Sequence, residues 1–192
     1  MLKTITVFCG SANTCPEKYL KDAYRVGQII GKQGRTLVYG GGARGSMGQV
    51  AMGAQSEGGR VIGINVQCFA GSRYTLDVDE SIVAPTMQER KVPLIERSDA
   101  SIAIPGGVGT LDEITEIFSM AQLGLIKRPF GILNMDHYFD GFLMQLKRAN
   151  EDHFLKDKDY ARIMVAEDIE TLLSMLDHYD DIYQTRLEEI AK

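Results

Sequence analysis

The sequence is poor in the residues that build metal and disulfide frameworks. Its 192 residues contain only three histidines and three cysteines, and the cysteines are Cys9, Cys15 and Cys68. The cysteines are odd in number and lack the spacing of metal ligands, so they predict reduced thiols and a cytoplasmic protein. No cluster of histidine, cysteine and aspartate has metal-ligand spacing, and we expect no metal. Cys9, at a strand end, is interpreted as a small buried apolar residue rather than a nucleophile.

Long apolar runs and an excess of basic charge are also missing. No apolar stretch approaches the length of a membrane span. The segment Met1–Cys9 runs directly into a strand and lacks the layout of a signal peptide. The 21 basic residues are scattered and are outnumbered by 26 acidic ones, which gives a net charge of −5. We therefore expect neither a membrane nor a nucleic acid as partner.

Short apolar runs alternate with helical patterns from end to end. This organisation predicts one domain over residues 1–179 and a polar tail at 180–192, either a docked helix or a partner-binding segment. Strands such as Ala100–Ile104 are apolar on both faces, which favours an α/β fold with a parallel sheet between helix layers. Strands are predicted at Thr4–Cys9, Thr36–Tyr39, Arg60–Ile64, Ser81–Val83, Ala100–Ile104, Phe130–Asn134 and Arg162–Val165. Helices are predicted at Pro16–Gln33, Ser46–Ser56, Met87–Arg97, Thr110–Leu123, Tyr138–Asn150 and Asp168–His178.

Three of the predicted strands end in glycine-rich turns. These turns are Gly10–Asn13, Gly40–Gly48 and Pro105–Thr110. Ligands collect at the carboxyl ends of strands in an open parallel sheet, so the three turns are expected to meet at one edge. Their bare N–H groups, together with the positive end of a helix dipole after Gly109, favour a phosphate. The pattern predicts a pocket for a nucleotide or a sugar phosphate.

The second turn also matches the dinucleotide fingerprint G-x-G-x-x-G, at Gly40, Gly42 and Gly45. That fingerprint normally follows the first strand and needs an acidic residue at the end of the next strand, to hold a ribose. Here the match follows the second strand, and the next strand ends in Asn65. The sequence therefore disfavours NAD or FAD, and we expect no cofactor.

The acidic residues after the third turn have two interpretations. Thr110 and Glu113 fit the capping box S/T-x-x-E, in which Glu113 would fold back onto the helix start and do no chemistry. Alternatively, a carboxylate beside an anion site acts on a second part of the bound molecule. The four residues alone leave both interpretations open.

The segment Met87–Lys91 has the same ambiguity. On a helix, Lys91 interrupts an apolar stripe, which fits either a site residue or a lysine that extends its ammonium group to solvent. Arg90 and Arg97 lie on a neighbouring face. Pro93 removes a helical hydrogen bond and predicts a kink.

Two motifs together resemble a known family. Pro105–Glu113 resembles the P-G-G-x-G-T-x-x-E signature of the LONELY GUY (LOG) family of cytokinin riboside 5′-monophosphate phosphoribohydrolases. Met87–Lys91 resembles its companion motif M-H-E-R-K, with Gln88 in place of histidine. Similar segments also occur at Phe8–Ser11, Gly40–Gly48 and Ala121–Gly124, and the resemblance extends from Thr4 to about Leu176.

The resemblance implies a Rossmann-like, doubly wound fold and a homodimer that hydrolyses a purine nucleoside 5′-monophosphate to free base and ribose 5-phosphate. It implies that Arg90 and Glu113 are catalytic, that Gly107–Thr110 hold the phosphate, and that the base is adenine or an N6-prenylated adenine. Members were often labelled lysine decarboxylases, but nothing in the sequence indicates a pyridoxal phosphate site. The implied substrate-binding residues are Lys91, Gly106, Gly107, Val108, Gly109, Thr110, Ser119, Gly10, Ser11, Gly41, Gly42, Met47 and Gly48.

Two further expectations follow. A homodimer is also favoured by the predicted helix after Gly109, whose apolar residues exceed the needs of one core-facing stripe; these are Ile114, Ile117, Phe118, Met120 and Ala121. The alternative to an enzyme is a non-catalytic carrier of a nucleotide or of molybdenum cofactor. A carrier would not require both Arg90 and Glu113, so their joint presence favours the enzyme.

Overall fold

The computed structural model describes residues 1–69 and 75–179, and the predicted tail at 180–192 lies outside them. One seven-stranded sheet has the order β4-β3-β2-β1-β5-β6-β7, and each neighbouring pair of strands is parallel. The strands are β1 Thr4–Phe8, β2 Thr36–Tyr39, β3 Val61–Val66, β4 Glu80–Ala84, β5 Ala100–Ala103, β6 Phe130–Leu133 and β7 Met164–Ala166. This arrangement confirms the predicted parallel α/β fold.

Helices cover both faces of the sheet. The helices are α1 Glu17–Lys32, α2 Gly45–Ser56, α3 Met87–Glu96, α4 Val108–Leu123, α5 Asp140–Glu151, α6 Asp157–Tyr160 and α7 Ile169–Asp177. Apolar side chains of α1, α2 and α7 form one core with the sheet. Those of α3, α4 and α5 form a second core on the opposite face. Every residue of β3, β5 and β6 is buried, as is typical of parallel strands covered on both faces.

The strand order reverses between β1 and β5. From β1 the chain moves outward through β2, β3 and β4, then crosses back to place β5 on the other side of β1. Residues after Phe8 and after Ala103 therefore leave the sheet side by side, and the backbone N–H of Ile104 still donates to the carbonyl of Phe8 at 3.0 Å. Such a reversal opens a crevice at the carboxyl ends of the strands.

Most predicted elements are confirmed, with corrections at their ends. The helix predicted from Thr110 begins two residues earlier, at Val108, and the one predicted from Tyr138 begins at Asp140 after a 3₁₀ turn at Met135–His137. The last strand is shifted towards Ala166, and α3 runs through Pro93 without ending. The 3₁₀ turn at Gln67–Phe69 and the short α6 were not predicted. Within the described ranges no helix is long and apolar enough to cross a membrane.

The apolar residues of α4 do not indicate a homodimer, contrary to the prediction. Of the five apolar residues named in that prediction, Ile114, Ile117, Phe118 and Ala121 are buried in the core of the subunit itself, and Met120 is partly buried against it. A helix in an α/β layer packs against both the sheet and its neighbouring helices, so it needs a wider apolar surface than one stripe. The homodimer therefore stays a prediction of the family resemblance alone.

Helices α1 and α2 approach each other through glycine. A Cβ atom at Gly27 would lie 2.0 Å from the carbonyl oxygen of Val50, and one at Gly53 would lie 2.0 Å from that of Tyr24. Glycine is normally a poor residue for a helix interior. Here it permits the close packing that fixes α2, whose N-terminus lies at the crevice.

We predict that Gly27→Ala destabilises the protein although alanine is the better helix former. Overpacking against backbone should lower the free energy of unfolding by about 1–3 kcal/mol, measured by urea denaturation. The matched control is Gly141→Ala in α5, where an added Cβ meets nothing within 4 Å. The control should be neutral or slightly stabilising, and equal behaviour of the two variants would contradict the packing argument.

Candidate active site

A cavity of about 710 Å³ lies at the reversal of strand order. Its walls come from the ends of β1 and β5 and from the starts of α1, α2, α3 and α4. The lining residues are Cys9, Gly10, Ser11, Ala12, Cys15, Pro16, Tyr19, Ser46, Met47, Met87, Gln88, Arg90, Lys91, Pro105, Gly106, Gly107, Gly109, Thr110, Asp112, Glu113 and Tyr138. The crevice expected from the glycine-rich turns is therefore present.

Two of the three turns touch at Gly10 and Gly106. A Cβ at Gly106 would lie 2.1 Å from Oγ1 of Thr110 and 2.7 Å from the backbone N of Gly10. The backbone N–H of Met47, in the first turn of α2, donates to the carbonyl of Gly10 at 3.1 Å and brings in the third turn. The predicted convergence is confirmed, and it depends on the missing side chain at Gly106.

Arg90 lies buried between the strands and α4, with 6% of its surface exposed. Its Nε donates to the carbonyl of Ile64 in β3 at 2.8 Å, and Nη2 donates to the carbonyl of Gly40 after β2 at 3.0 Å. Its Nη1 lies 3.2 Å from Oε1 of Glu113. These three bonds use three of the five N–H groups of a guanidinium, which leaves two for a ligand.

The position of Arg90 requires glycine in the second turn. A Cβ at Gly40 would lie 2.0 Å from Nη2 of Arg90. The turn was predicted to bind ligand through its bare backbone. At Gly40, however, the space left by the missing side chain is occupied by the guanidinium of Arg90.

Glu113 is the buried partner of Arg90, with 7% of its surface exposed. Burial raises the pKa of its carboxyl to about 7, and the charge and hydrogen bond of Arg90 only partly oppose this effect. The nearby charge of Asp112 raises the pKa further. A carboxyl with a pKa near neutral exchanges a proton at physiological pH, and groups with that property concentrate at functional sites.

The capping interpretation of Glu113 is wrong. Because α4 starts at Val108, its N-cap is Gly107, which makes no side-chain capping bond, and Glu113 lies in the second turn. The capping pair belongs to α3 instead. There the hydroxyl of Thr86 accepts from the N–H of Glu89 at 3.2 Å and donates to its carboxylate at 2.8 Å.

Lys91 lies at the rim of the cavity between two carboxylates of α4. Its Nζ is 3.2 Å from Asp112 and 2.8 Å from Glu116, and 19% of its side chain is exposed. The bond to Glu116, with support from Asp112, raises the pKa of the Lys91 ammonium group. Lys91 therefore carries a fixed positive charge at the cavity mouth and is not an unpaired solvated lysine.

A second cavity of about 470 Å³ adjoins the first. The two share Ser11, Met47, Met87 and Arg90. The further lining residues of the second cavity are Gly40, Gly42, Ala43, Arg44, Asn65, Val66 and Phe69. Arg90 thus faces a trough that extends from the turn after β5 to the end of β3.

Most sequence-predicted site residues come together at this trough. Those that line the larger cavity are Arg90, Glu113, Lys91, Gly10, Ser11, Met47, Gly106, Gly107, Gly109 and Thr110. Gly42 lines the second cavity. Four others line neither cavity within the described residues: Gly41, Gly48, Val108 and Ser119. Val108 is 83% exposed, and Ser119 lies on the exposed face of α4.

Sequence reasoning missed residues that lie outside the glycine-rich turns. Tyr19 of α1 and Tyr138 after β6 line the larger cavity, and Asn65 and Phe69 line the second. Asn65, Phe69 and Tyr138 share one feature, which is that they lie at or after the carboxyl end of a strand on the same edge of the sheet. Without glycine or a recognisable motif, that feature does not separate them from other loop residues.

The chain is similar to known proteins over most of its length. The family model described as "possible lysine decarboxylase" matches residues 47–176. LOGL9 of Oryza sativa subsp. japonica, a probable cytokinin riboside 5′-monophosphate phosphoribohydrolase, is 36% identical over 92% of this chain and 78% of its own length. LOG5 of Arabidopsis thaliana, named as the same enzyme, is 35% identical over 94% and 79%. The chain belongs to the LOG family.

Solved structures share the fold of this LOG-family chain. The molybdenum cofactor binding protein of Rippkaea orientalis has a TM-score of 0.70 and 26% identity, over 92% of this chain and 96% of that one. The molybdenum cofactor carrier protein of Chlamydomonas reinhardtii has a TM-score of 0.68 and 22% identity, over 92% and 97%. The second likeness concerns the fold alone.

The words "lysine decarboxylase" in the family description do not fit the residues of this site. Decarboxylases of that kind use pyridoxal phosphate bound to a lysine amine as a Schiff base. Such a lysine must lose its proton, and burial or a neighbouring cation favours that loss. Lys91, which lines the cavity, has two carboxylate partners that hold it as an ammonium ion.

We predict that Glu113 makes the stability of the protein depend on pH. Its pKa is raised in the folded state, from an ordinary 4.5 to about 7, so between these values the folded protein binds more protons than the unfolded chain. The contribution of Glu113 to the free energy of unfolding is then fully present below pH 4.5 and is lost as pH rises through 7. Relative to Glu113→Gln, the wild type should lose about 3 kcal/mol over this window.

Urea denaturation at several pH values measures this difference. Glu89→Gln is the matched control, because Glu89 is exposed and caps α3, and glutamine serves at that position. The control should follow the wild type at each pH. A wild-type advantage over Glu113→Gln that rises with pH would contradict the raised pKa.

Proposed function

We propose that this LOG-family protein hydrolyses the N-glycosidic bond of a purine nucleoside 5′-monophosphate, releasing the free base and ribose 5-phosphate. The observation that carries the proposal is the buried pair of Arg90 and Glu113 on a cavity floor beside the glycine turn that opens α4. The names of the similar rice and Arabidopsis proteins support the same reaction.

The 5′-phosphate is proposed to bind at the start of α4. Gly107, Gly109 and Thr110 line the larger cavity there. The first N–H groups of a helix lack the usual acceptor one turn earlier. The N–H of Thr110 donates to the carbonyl of Gly107 at 3.1 Å, so the N–H groups of Gly107 and Gly109 are the ones proposed to bind the anion. The helix dipole adds positive potential at the same point. The ammonium group of Lys91 lies at the rim, where its charge is shared with Asp112 and Glu116. These features support a dianionic group and explain why a 5′-monophosphate would be preferred to a nucleoside.

The base is proposed to occupy the second cavity. Met47 and Phe69 offer apolar surface, and the amide of Asn65 and the bare backbone of Gly42 lie beside them. Arg90 lines both cavities. With phosphate at one end of the trough and base at the other, the bond between sugar and base falls beside Arg90 and Glu113.

The chemistry follows from the charge that the reaction develops. As the bond from C1′ to the base nitrogen breaks, its electron pair leaves with the base and positive charge builds on the ribose. The ionised carboxylate of Glu113 stabilises that charge and takes a proton from the attacking water, whose oxygen bonds to C1′. A pKa near 7 lets Glu113 accept this proton at neutral pH. The proton that Glu113 takes from water then passes to the departing base through solvent, so the base leaves neutral and Glu113 returns to its ionised form.

Arg90 is proposed to hold Glu113 in place and to assist the leaving base. Its bonds to the carbonyls of Ile64 and Gly40 fix the guanidinium to the sheet, so that it cannot swing towards the phosphate turn without losing both. Its remaining N–H groups are available to a ring nitrogen of the base. This arrangement favours assistance to the base over phosphate binding.

We also propose that the protein is a homodimer and that the base is adenine or an N6-prenylated adenine, as the resemblance implies. A cytoplasmic location is proposed from the cysteine pattern. The alternative of a molybdenum cofactor carrier gains support from the Rippkaea structure. A carrier needs binding without hydrolysis, and the pair of Arg90 and Glu113 would then have no chemical role.

We predict that Glu113→Gln abolishes most turnover while the protein still binds AMP. Glutamine is nearly the same size but has neither charge nor basicity, so kcat should fall by about 10²-fold or more. Release of free base from AMP and from N6-isopentenyladenosine 5′-monophosphate measures kcat. Nucleotide affinity is measured separately by calorimetry.

Glu89→Gln serves again as the control, since it removes an exposed carboxylate one residue from Arg90 and should keep full activity. If Glu113→Gln turns over like the wild type, Glu113 has a structural role and the mechanism loses its base. If the wild type binds AMP tightly but releases no base from any purine monophosphate, the carrier interpretation is favoured.

A further inference from the structure

Tyr138 is a cavity residue that the reaction leaves unexplained. It follows β6 at the rim of the larger cavity, and 42% of its surface is exposed. Its hydroxyl donates to the carbonyl oxygen of Gly106 at 2.6 Å. Gly106 belongs to the turn that opens α4, so a residue 32 positions later in the chain is bonded to the proposed phosphate site.

The backbone that carries Tyr138 adopts a costly conformation. Asp136 and His137 have φ angles of 50° and 58°, in the left-handed region that residues other than glycine rarely adopt. Two such residues in succession persist only when the surroundings impose them. Asn134 supplies part of that constraint, because its side chain accepts from the N–H of Phe139 at 2.7 Å and donates to Asp140 at 2.8 Å.

A second set of contacts fixes the ring of Tyr138 from the opposite wall. The rings of Tyr19 and Tyr138 pack edge to face with centroids 5.3 Å apart. Lys18 lies over the Tyr19 ring at 4.8 Å and forms an ion pair with Asp136 at 2.5 Å. The tyrosine is therefore held by α1 as well as by its own turn.

The bonded carbonyl controls the direction of a neighbouring N–H group. The carbonyl of Gly106 and the N–H of Gly107 belong to one planar trans peptide, so fixing one fixes the other. Gly106 and Gly107 have no side chains to resist rotation of that plane. Gly107 is the N-cap of α4 and lines the cavity.

We propose that Tyr138 is a positioning residue, whose hydroxyl orients the Gly106–Gly107 peptide and thereby prepares the start of α4 to bind the 5′-phosphate of the substrate. This role rests on the proposed function for the identity of the ligand. The strained turn at Asp136 and His137 serves to deliver the hydroxyl to Gly106. The tyrosine acts through the peptide, so its loss should weaken binding of the phosphate and leave binding of the nucleoside unchanged.

Tyr138→Phe tests the proposal, because it keeps the ring contact with Tyr19 and removes only the hydroxyl. In a Glu113→Gln background that does not consume the ligand, calorimetry compares AMP with adenosine. The dissociation constant for AMP should rise about fivefold, as expected for one hydrogen bond, while that for adenosine stays the same. An unchanged AMP affinity, or an equal loss for both ligands, would overturn the proposal.

A second readout needs no ligand. Hydrogen exchange of the peptide 105–111, followed by mass spectrometry in the otherwise wild-type protein, should be faster in Tyr138→Phe and unchanged in α2 and α7. Tyr24→Phe is the control, since Tyr24 lies in α1 and lines neither cavity among the described residues. If exchange of 105–111 is unchanged, or faster everywhere, the positioning role is excluded. Failure of AMP to bind at all contradicts the proposed function, and exchange then decides the role of Tyr138 by itself.

Discussion

The buried contact between Arg90 and Glu113 is the interaction on which the site depends. A carboxylate or a guanidinium buried this deeply would be costly without a partner. Arg90 is supported by two backbone carbonyls as well as by Glu113, so its charge is well satisfied. Glu113 has less support, which is why burial still raises its pKa. The pair combines a rigid cation with a carboxyl that titrates near neutral pH.

Three glycines have different structural roles although they look alike in sequence. Gly40 gives room to the guanidinium of Arg90, and Gly106 lets the turn before α4 approach Gly10 and Thr110. Gly27, far from the site, permits α1 and α2 to pack closely. The absence of a side chain therefore makes room for a charged side chain at Gly40, for a proposed binding turn at Gly106 and for close helix packing at Gly27.

The fold and the convergence of the turns could be predicted from the sequence, because apolar strands and glycine-rich strand ends are local patterns. The helix start at Val108 could not, because Gly107 caps α4 without a side-chain bond and gives no local signal. That two-residue error produced the false capping box at Thr110 and Glu113. The same motif was real at Thr86 and Glu89, where it was not noticed. Tyr138 was missed because its proposed role depends on a contact with Gly106, 32 residues earlier in the chain.

The most direct test of the account is the fate of the nucleotide. The purified protein is incubated with N6-isopentenyladenosine 5′-monophosphate, AMP and the two corresponding nucleosides, and free base and ribose 5-phosphate are quantified together. The account predicts equal amounts of both products from at least one monophosphate and far slower cleavage of the nucleosides, because they lack the group that is proposed to bind at the start of α4. Monophosphates recovered intact, or nucleosides cleaved as fast as their monophosphates, would contradict it.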